Sequence, residues 1–274
     1  MEYRPSLPEN NVNVSHARPV REFILLFLGI TVILLVAFWA LGLFVDSAVN
    51  FISPGMESVI FQTHDVPAPL TANADGPKQA ELQRLADALR KCDSISYPVK
   101  VHLVESDQAN ALAVPGGRIV VFSGLLDKVR SENGLAFVLA HELAHFKDRD
   151  HLRSMGRGIV LTAMMAVISG TGSQLTQLFA PAANLSQAHY SRERESMADR
   201  QALLALNCYY GHVGGASEFF KAVQPDATKK SLLNGHYFAS HPEAVTRIDN
   251  LHRLTRDLNL DVQEVRPLPT VLEE

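Results

Sequence analysis

The residues best suited to chemistry lie on a single turn, His141-Glu142-Leu143-Ala144-His145. On a helix, positions i and i+4 share a face, so the two imidazoles can aim at one metal ion. Glu142 lies beside them, placed to take a proton from a water molecule held at that ion. A zinc ion polarises such a water and brings its pKa towards neutrality. The chemistry implied is metal-assisted hydrolysis, with Glu142 as general base and a peptide bond as the expected substrate. The surroundings sharpen this reading. From Leu135 to Phe146 every residue is apolar except His141, Glu142 and His145. Three ionisable groups on an otherwise buried helix are costly without partners, and a metal with its water supplies them.

A catalytic zinc takes three protein ligands and keeps one position open. The third ligand has two candidates. His151 falls where the pattern HExxHxxGxxH expects its last histidine. That pattern needs a glycine for its turn; Asp148 stands there, and no Met-turn follows. A polar residue just past the helix end is the simpler reading of His151. The second candidate is Glu195, in Ser191-Arg-Glu-Arg-Glu-Ser-Met-Ala-Asp199. Glu195 and Asp199 are again i and i+4, and Ala198 is small enough to let two helices approach. One carboxylate can bind the metal, and the other can accept a hydrogen bond from the far nitrogen of a ligand histidine. Arg192, Arg194 and Arg200 keep a rival reading open, a solvated charged helix face.

Four stretches together resemble the HtpX and CAAX-prenyl-protease family of membrane-associated gluzincin metallopeptidases. They are Asn110-Ala-Leu-Ala-Val-Pro-Gly-Gly-Arg-Ile-Val-Val-Phe-Ser-Gly-Leu-Leu126, Leu139-Ala-His-Glu-Leu-Ala-His145, Tyr190-Ser-Arg-Glu-Arg-Glu-Ser-Met-Ala-Asp199 and Ser240-His-Pro-Glu-Ala-Val-Thr-Arg247. The resemblance implies one Zn2+ per chain, bound by His141, His145 and Glu195, with Asp199 supporting a ligand. It implies that His241 lies over the metal, either stabilising the oxyanion or capping zinc at rest, with Arg247 nearby. Two departures stand out. Met197 replaces an acidic residue common in relatives, and this chain has one convincing membrane span where multi-span members have several. It is therefore similar to the compact members, and prenylated substrates are not implied.

The elements that must carry these groups read as follows. Apolar spacing predicts helices over about 79–92, 131–148, 152–169, 185–206, 214–223 and 241–257. Val99–Val104, Asn110–Val114 and Arg118–Phe122 read as short strands, the last two joined by a Pro115-Gly116-Gly117 turn. The expected fold class is α+β: a mainly helical zincin-like domain with a small sheet, preceded by one transmembrane helix. A peptidase of this kind can hold its substrate as an added strand. The candidate edge is Asn110, Ala111, Leu112 and Ala113, and backbone pairing there predicts low sequence specificity.

Phe23 to Val45 is an uncharged run of 23 residues, long enough to cross a bilayer core. It is too long for a cleaved signal peptide and lacks a clear cleavage pattern. Arg4, Arg18 and Arg21 precede it, and no Lys or Arg follows until Lys78. The N-terminus is therefore expected in the cytoplasm and the catalytic domain outside, which in a bacterium means single-pass anchoring in the inner membrane with a periplasmic domain. The expected layout is a cytoplasmic segment 1–21, a signal-anchor 22–46 contacting lipid through 23–45, a linker 47–77, a peptidase domain 78–260 and an irregular tail 261–274. Within the linker, Val59-Ile60-Phe61 reads as a short strand or a segment resting on the membrane. Ile159 to Ser169 is also apolar but too short to span; it reads as a partly buried helix or a dip into lipid.

A net charge of −4 without long runs leaves no footprint for nucleic acid. Cys92 and Cys208 lie far apart, and spacing leaves open whether they pair. Oligomeric state is not legible. The functional expectation is a membrane-anchored zinc endopeptidase in envelope protein quality control, acting on protein or peptide substrates. The alternative is a chaperone-like assembly factor whose zinc site is capped and rarely active.

Overall fold

The computed structural model describes residues 18–62, 76–169, 190–223, 241 and 244–273. The expected cytoplasmic segment through residue 17, linker residues 63–75, and the start of the helix expected at 185 lie outside these.

Three strands form the sheet: β1 (Lys100–Val104), β2 (Ala111–Val114) and β3 (Arg118–Phe122). β3 is central, parallel to β1 and antiparallel to β2. Gly116 and Gly117 make the β2–β3 turn with φ of 88° and 77°, values that favour glycine. Helix α3 (Pro77–Cys92) starts with proline in its first turn and buries Leu82, Leu85, Ala86 and Leu89 against the core. It also closes the outer edge of β1. Gln83 accepts from Val101 N and donates to Val99 O, both at 2.8 Å, and Gln79 accepts from Leu103 N at 3.2 Å. Of the two sheet edges, only β2 is left to face the catalytic helices.

After the short α4 (Ser123–Leu126) comes α5 (Glu132–Lys147), capped by the Ser131 side chain, which accepts from Gly134 N. Every residue of α5 from Glu132 to Phe146 is buried, so this is the central helix of the core. It packs against α7 (Arg192–Tyr210), capped by Ser191 and ended by left-handed Gly211. Ala198 and Ala202, both buried, face the junction as expected of small residues where helices approach. Helices α8 (Glu218–Val223) and α9 (Ala244–Asp257) close the far side. The tail is less irregular than expected: Pro267 bridges to Ser131, and Leu268 and Leu272, the latter in α10 (Thr270–Glu273), are buried. Cys92 and Cys208 form a disulfide that joins the end of α3 to α7.

At the other end, α1 (Pro19–Val49) contains the long apolar run, essentially unburied, and packs through its last turns on α6 (Asp150–Ser169). Between α1 and the domain, Pro54–Gln62 forms a helix, α2, so of the two readings of Val59–Phe61, a short strand or a segment resting on the membrane, the strand is overturned. Ser53 accepts from Met56 N, proline opens the helix, and Glu57 is anchored in the domain, which together outweigh the β-rich local composition.

Candidate metal centre

Four side chains converge in the buried space between α5, α7 and the segment before α9. His141, His145, Glu195 and His241 each offer one donor atom, and these atoms lie within 4.8 Å of one another. His141 Nε2 is 3.0 Å from His145 Nε2 and 3.5 Å from Glu195 Oε2. Glu195 Oε1 is 3.3 Å from His145 Nε2, and His241 Nδ1 lies 3.0 Å from Glu195 Oε1 and 3.4 Å from His141 Nε2. Tetrahedral bonds of about 2.0–2.1 Å, as zinc makes to imidazole and carboxylate, span edges of roughly 3.3–3.4 Å. The observed edges bracket that value. Three ring nitrogens and a carboxylate meeting with no apolar spacer is also the donor chemistry a borderline divalent metal prefers. The residues fit such an ion.

Each α5 histidine is held from behind. His141 Nδ1 is 3.1 Å from Asp199 Oδ1, and His145 Nδ1 is 3.0 Å from Asp150 Oδ2. Each aspartate in turn meets an arginine: Arg247 takes both oxygens of Asp199, and Arg194 Nη1 lies 2.8 Å from Asp150 Oδ1. Arg247 also reaches Glu195 Oε2 at 2.8 Å and stacks over the Phe220 ring. These contacts direct both Nε2 atoms inward and fix the carboxylates that aim them.

Glu142 stands at the side of the cluster. Its Oε2 accepts from Ala113 N at 2.9 Å, which ties it to the buried outer edge of β2, the edge not paired with β3. Its Oε1 lies 3.4 Å from His241 Nε2. The His241 ring thus bridges Glu142 and the donor cluster. Burial pushes the His241 ring below its ordinary pKa, partly offset by Glu195. Burial opposes charge on His145 too, but Asp150 and Glu195 raise it to about 10. Glu195 is penalised by burial, yet His241 and Arg247 hold its carboxyl well below the usual range. Asp199 is likewise lowered against its burial, chiefly by Arg247.

All of the expected ligands and supports therefore meet. His151 does not: its Nε2 bonds Glu57 Oε1 at 2.9 Å, and its ring stacks on Phe146. Asn110 is buried beside the cluster strand, its side chain accepting from Ala111 N. Leu112 turns its side chain into a small cluster with Val104, Val114 and Val120. The charged face of α7 is real, since Arg192 and Arg200 are exposed, but Glu195 and Asp199 lie on the opposite, buried face.

Two residues at the centre were not expected from the sequence. Asp150 follows His145 by five positions, no helical spacing. It returns because Arg149 adopts φ 60°, a left-handed turn between α5 and α6. Tyr190 stacks on His145 with centroids 4.0 Å apart and an interplanar angle of 17°. Its burial, reinforced by Glu142, pushes the phenol well above its ordinary pKa, so it remains protonated. Its place in a motif next to Ser191 was the available signal.

Residues 77–255 match peptidase family M48. The chain is 30% identical to the protease HtpX homolog of Salinibacter ruber over 206 residues, 68% of this chain and 74% of that protein. It is 29% identical to the mitochondrial metalloendopeptidase OMA1 of Schizosaccharomyces pombe over 153 residues, 54% and 44% of the two chains. It is 26% identical to the beta-barrel assembly-enhancing protease of Escherichia coli over 163 residues, 55% and 32%. It therefore covers most of the first relative but less than half of the other two.

Proposed function

The chain belongs to peptidase family M48, a family of metallopeptidases, and from that premise we propose that it is a membrane-anchored zinc endopeptidase acting on unfolded or damaged envelope proteins. The observation that carries this reading is the convergence of His141, His145 and Glu195 against a Glu142 carboxylate tethered to a strand edge. His141 Nε2, His145 Nε2 and Glu195 would hold the zinc. When bound, zinc supplies Lewis-acid polarisation of the scissile carbonyl and of water.

The chain's own residues do the rest. A peptide laid along β2 would pair with the outward carbonyls of Ala111 and Ala113, whose N–H groups serve Asn110 and Glu142, with Leu112 between them pairing to β3, and would bring its backbone to Glu142. Glu142 Oε2 is kept in place by Ala113 N, so Oε1 is the oxygen that takes the proton from water. The same oxygen returns it to the departing amine. His241, once its ring swings from its present place, has the reach to donate to the developing oxyanion. Asp199, Arg247 and Asp150 orient the ligands.

His241 also favours a second reading of the resting state. Its ring occupies the space between Glu142 Oε1 and the donor atoms, which supports a closed, latent site opened by substrate or partner. That reading accommodates an assembly factor that cleaves rarely. The long apolar helix near the N-terminus, with Arg18 and Arg21 before its uncharged run, supports an inner-membrane anchor, a cytoplasmic N-terminus and a periplasmic domain. The Cys92–Cys208 disulfide supports the same oxidising side.

The test is purified full-length protein in detergent, assayed on casein. One zinc per chain, loss of cleavage on chelation and its return on adding zinc are expected. Cleavage indifferent to chelation, or no stoichiometric zinc, would sink the proposal.

A further inference from the structure

Helix α6 has a polar half and an apolar half. The polar half is clasped to the end of α1. Arg153 donates to Asp46 O at 2.6 Å and to Asn50 Oδ1 at 2.7 Å, and Arg157 pairs with Asp46 Oδ2. Gly156 lets the helices touch, since a side chain there would meet Val45 Cγ1 at 2.6 Å. Residues later in α6 thus meet residues earlier in α1, so the two helices run antiparallel. Beyond Arg157, α6 proceeds alongside the apolar run of α1.

That continuation is Gly158-Ile-Val-Leu-Thr-Ala-Met-Met-Ala-Val-Ile-Ser169, without an ionisable residue. No Asp, Glu, Lys or Arg occurs in the sequence from there to Ser191. Leu161 is 52% exposed. The Thr162 hydroxyl is satisfied by Gly158 O at 2.9 Å, as Thr31 in α1 is by Phe27 O at 2.8 Å. Hydroxyls bonded to the preceding turn make no demand on water.

We infer that the apolar half of α6 inserts into the bilayer beside α1, as a second membrane contact that does not cross. The inference rests on α1 being the span. From Arg157 to Ser169 a helix rises about 18 Å, more than half of a hydrocarbon core of about 30 Å. Arg153 and Arg157, paired with Asp46, mark the interfacial level. Asp150, which holds His145, lies only about 10 Å of helix above that level. The metal centre is thereby fixed close to the membrane surface by two helices, where segments emerging from the bilayer are its nearest substrates.

Tryptophan quenching in vesicles of phosphatidylethanolamine and phosphatidylglycerol tests this. Trp39, in α1, is the single tryptophan. In full-length protein carrying Trp39→Phe, Leu161→Trp should lose emission to lipids brominated in mid-chain and shift to the blue, as Trp39 does in the wild type. Met164→Trp, nearly one turn deeper, should do so at least as strongly and guards against misfolding of the first variant. Val262→Trp, at a position 69% exposed in the tail, should stay unquenched. Water-like, unquenched emission from both α6 variants while Trp39 is quenched would overturn the inference. Unquenched Trp39 would overturn the span itself, and the inference with it.

Discussion

His145 Nδ1 lies 3.0 Å from Asp150 Oδ2, across a left-handed turn at Arg149. The bond fixes which nitrogen of His145 faces the metal, and it joins the catalytic helix to the first turn of the helix that follows. Removing such a carboxylate typically costs 10–100-fold in metal affinity. Asp150→Asn should therefore lower zinc affinity by about that factor in a chelator competition, with helix content unchanged. An unchanged affinity would mean that Asp150 serves Arg194 alone.

His241 fills the space between Glu142 and the donor cluster. If the closed arrangement is favoured by about 1.4 kcal/mol, roughly nine-tenths of molecules are idle. On the latent-site reading His241→Ala should then raise basal casein cleavage up to about tenfold without loss of zinc, whereas on the oxyanion reading cleavage should fall. A fall in turnover instead would assign the ring to the transition state and not to closure.

The disulfide between Cys92 and Cys208 spans 116 residues of sequence and ties α3 to α7. Bridges over loops of this length typically contribute about 3–5 kcal/mol. The double variant Cys92→Ser/Cys208→Ser should lose about that much in denaturant titration, and reductant should destabilise only the wild type. Equal midpoints would show that helix packing holds the two elements unaided.

Glu57, 2% exposed, accepts from Gly116 N and pairs with Arg149 and His151. Burial disfavours its charge, but His151 and Arg149 outweigh that and lower its pKa from 4.5 to about 2. A depressed folded-state pKa contributes stability that is full above the unfolded value and lost as pH falls through the folded one. Of the acid destabilisation between pH 5 and 2, Glu57 should account for about 3 kcal/mol at most. Glu57→Gln should flatten that limb relative to the wild type in thermal melts. Parallel pH profiles would contradict the pairing.

Much of the site was legible because it is written in helical spacing. The i, i+4 pairs His141/His145 and Glu195/Asp199 lie on elements whose caps, Ser131 and Ser191, are also readable. The roles within the second pair were not, since either carboxylate faces the same way until the packing sets Asp199 against His141 Nδ1 and Glu195 beside the two Nε2 atoms. Asp150 was hidden because its position depends on one left-handed residue. Helix α2 was hidden because prolines and glycines punctuate its neighbourhood, while the bonds that hold Glu57 come from Gly116, Arg149 and His151, far along the chain. The disulfide rests on the packing of α3 against α7, which a separation of 116 residues does not reveal.

The central claim is that Glu142 moves the proton at a metal held by His141, His145 and Glu195. The direct measurement compares casein cleavage and zinc content of the wild type and Glu142→Gln, both purified at full length. Retained stoichiometric zinc with cleavage reduced by about 10²–10⁴-fold is expected, the range for a lost general base. Full zinc with undiminished cleavage by the variant would contradict the assignment.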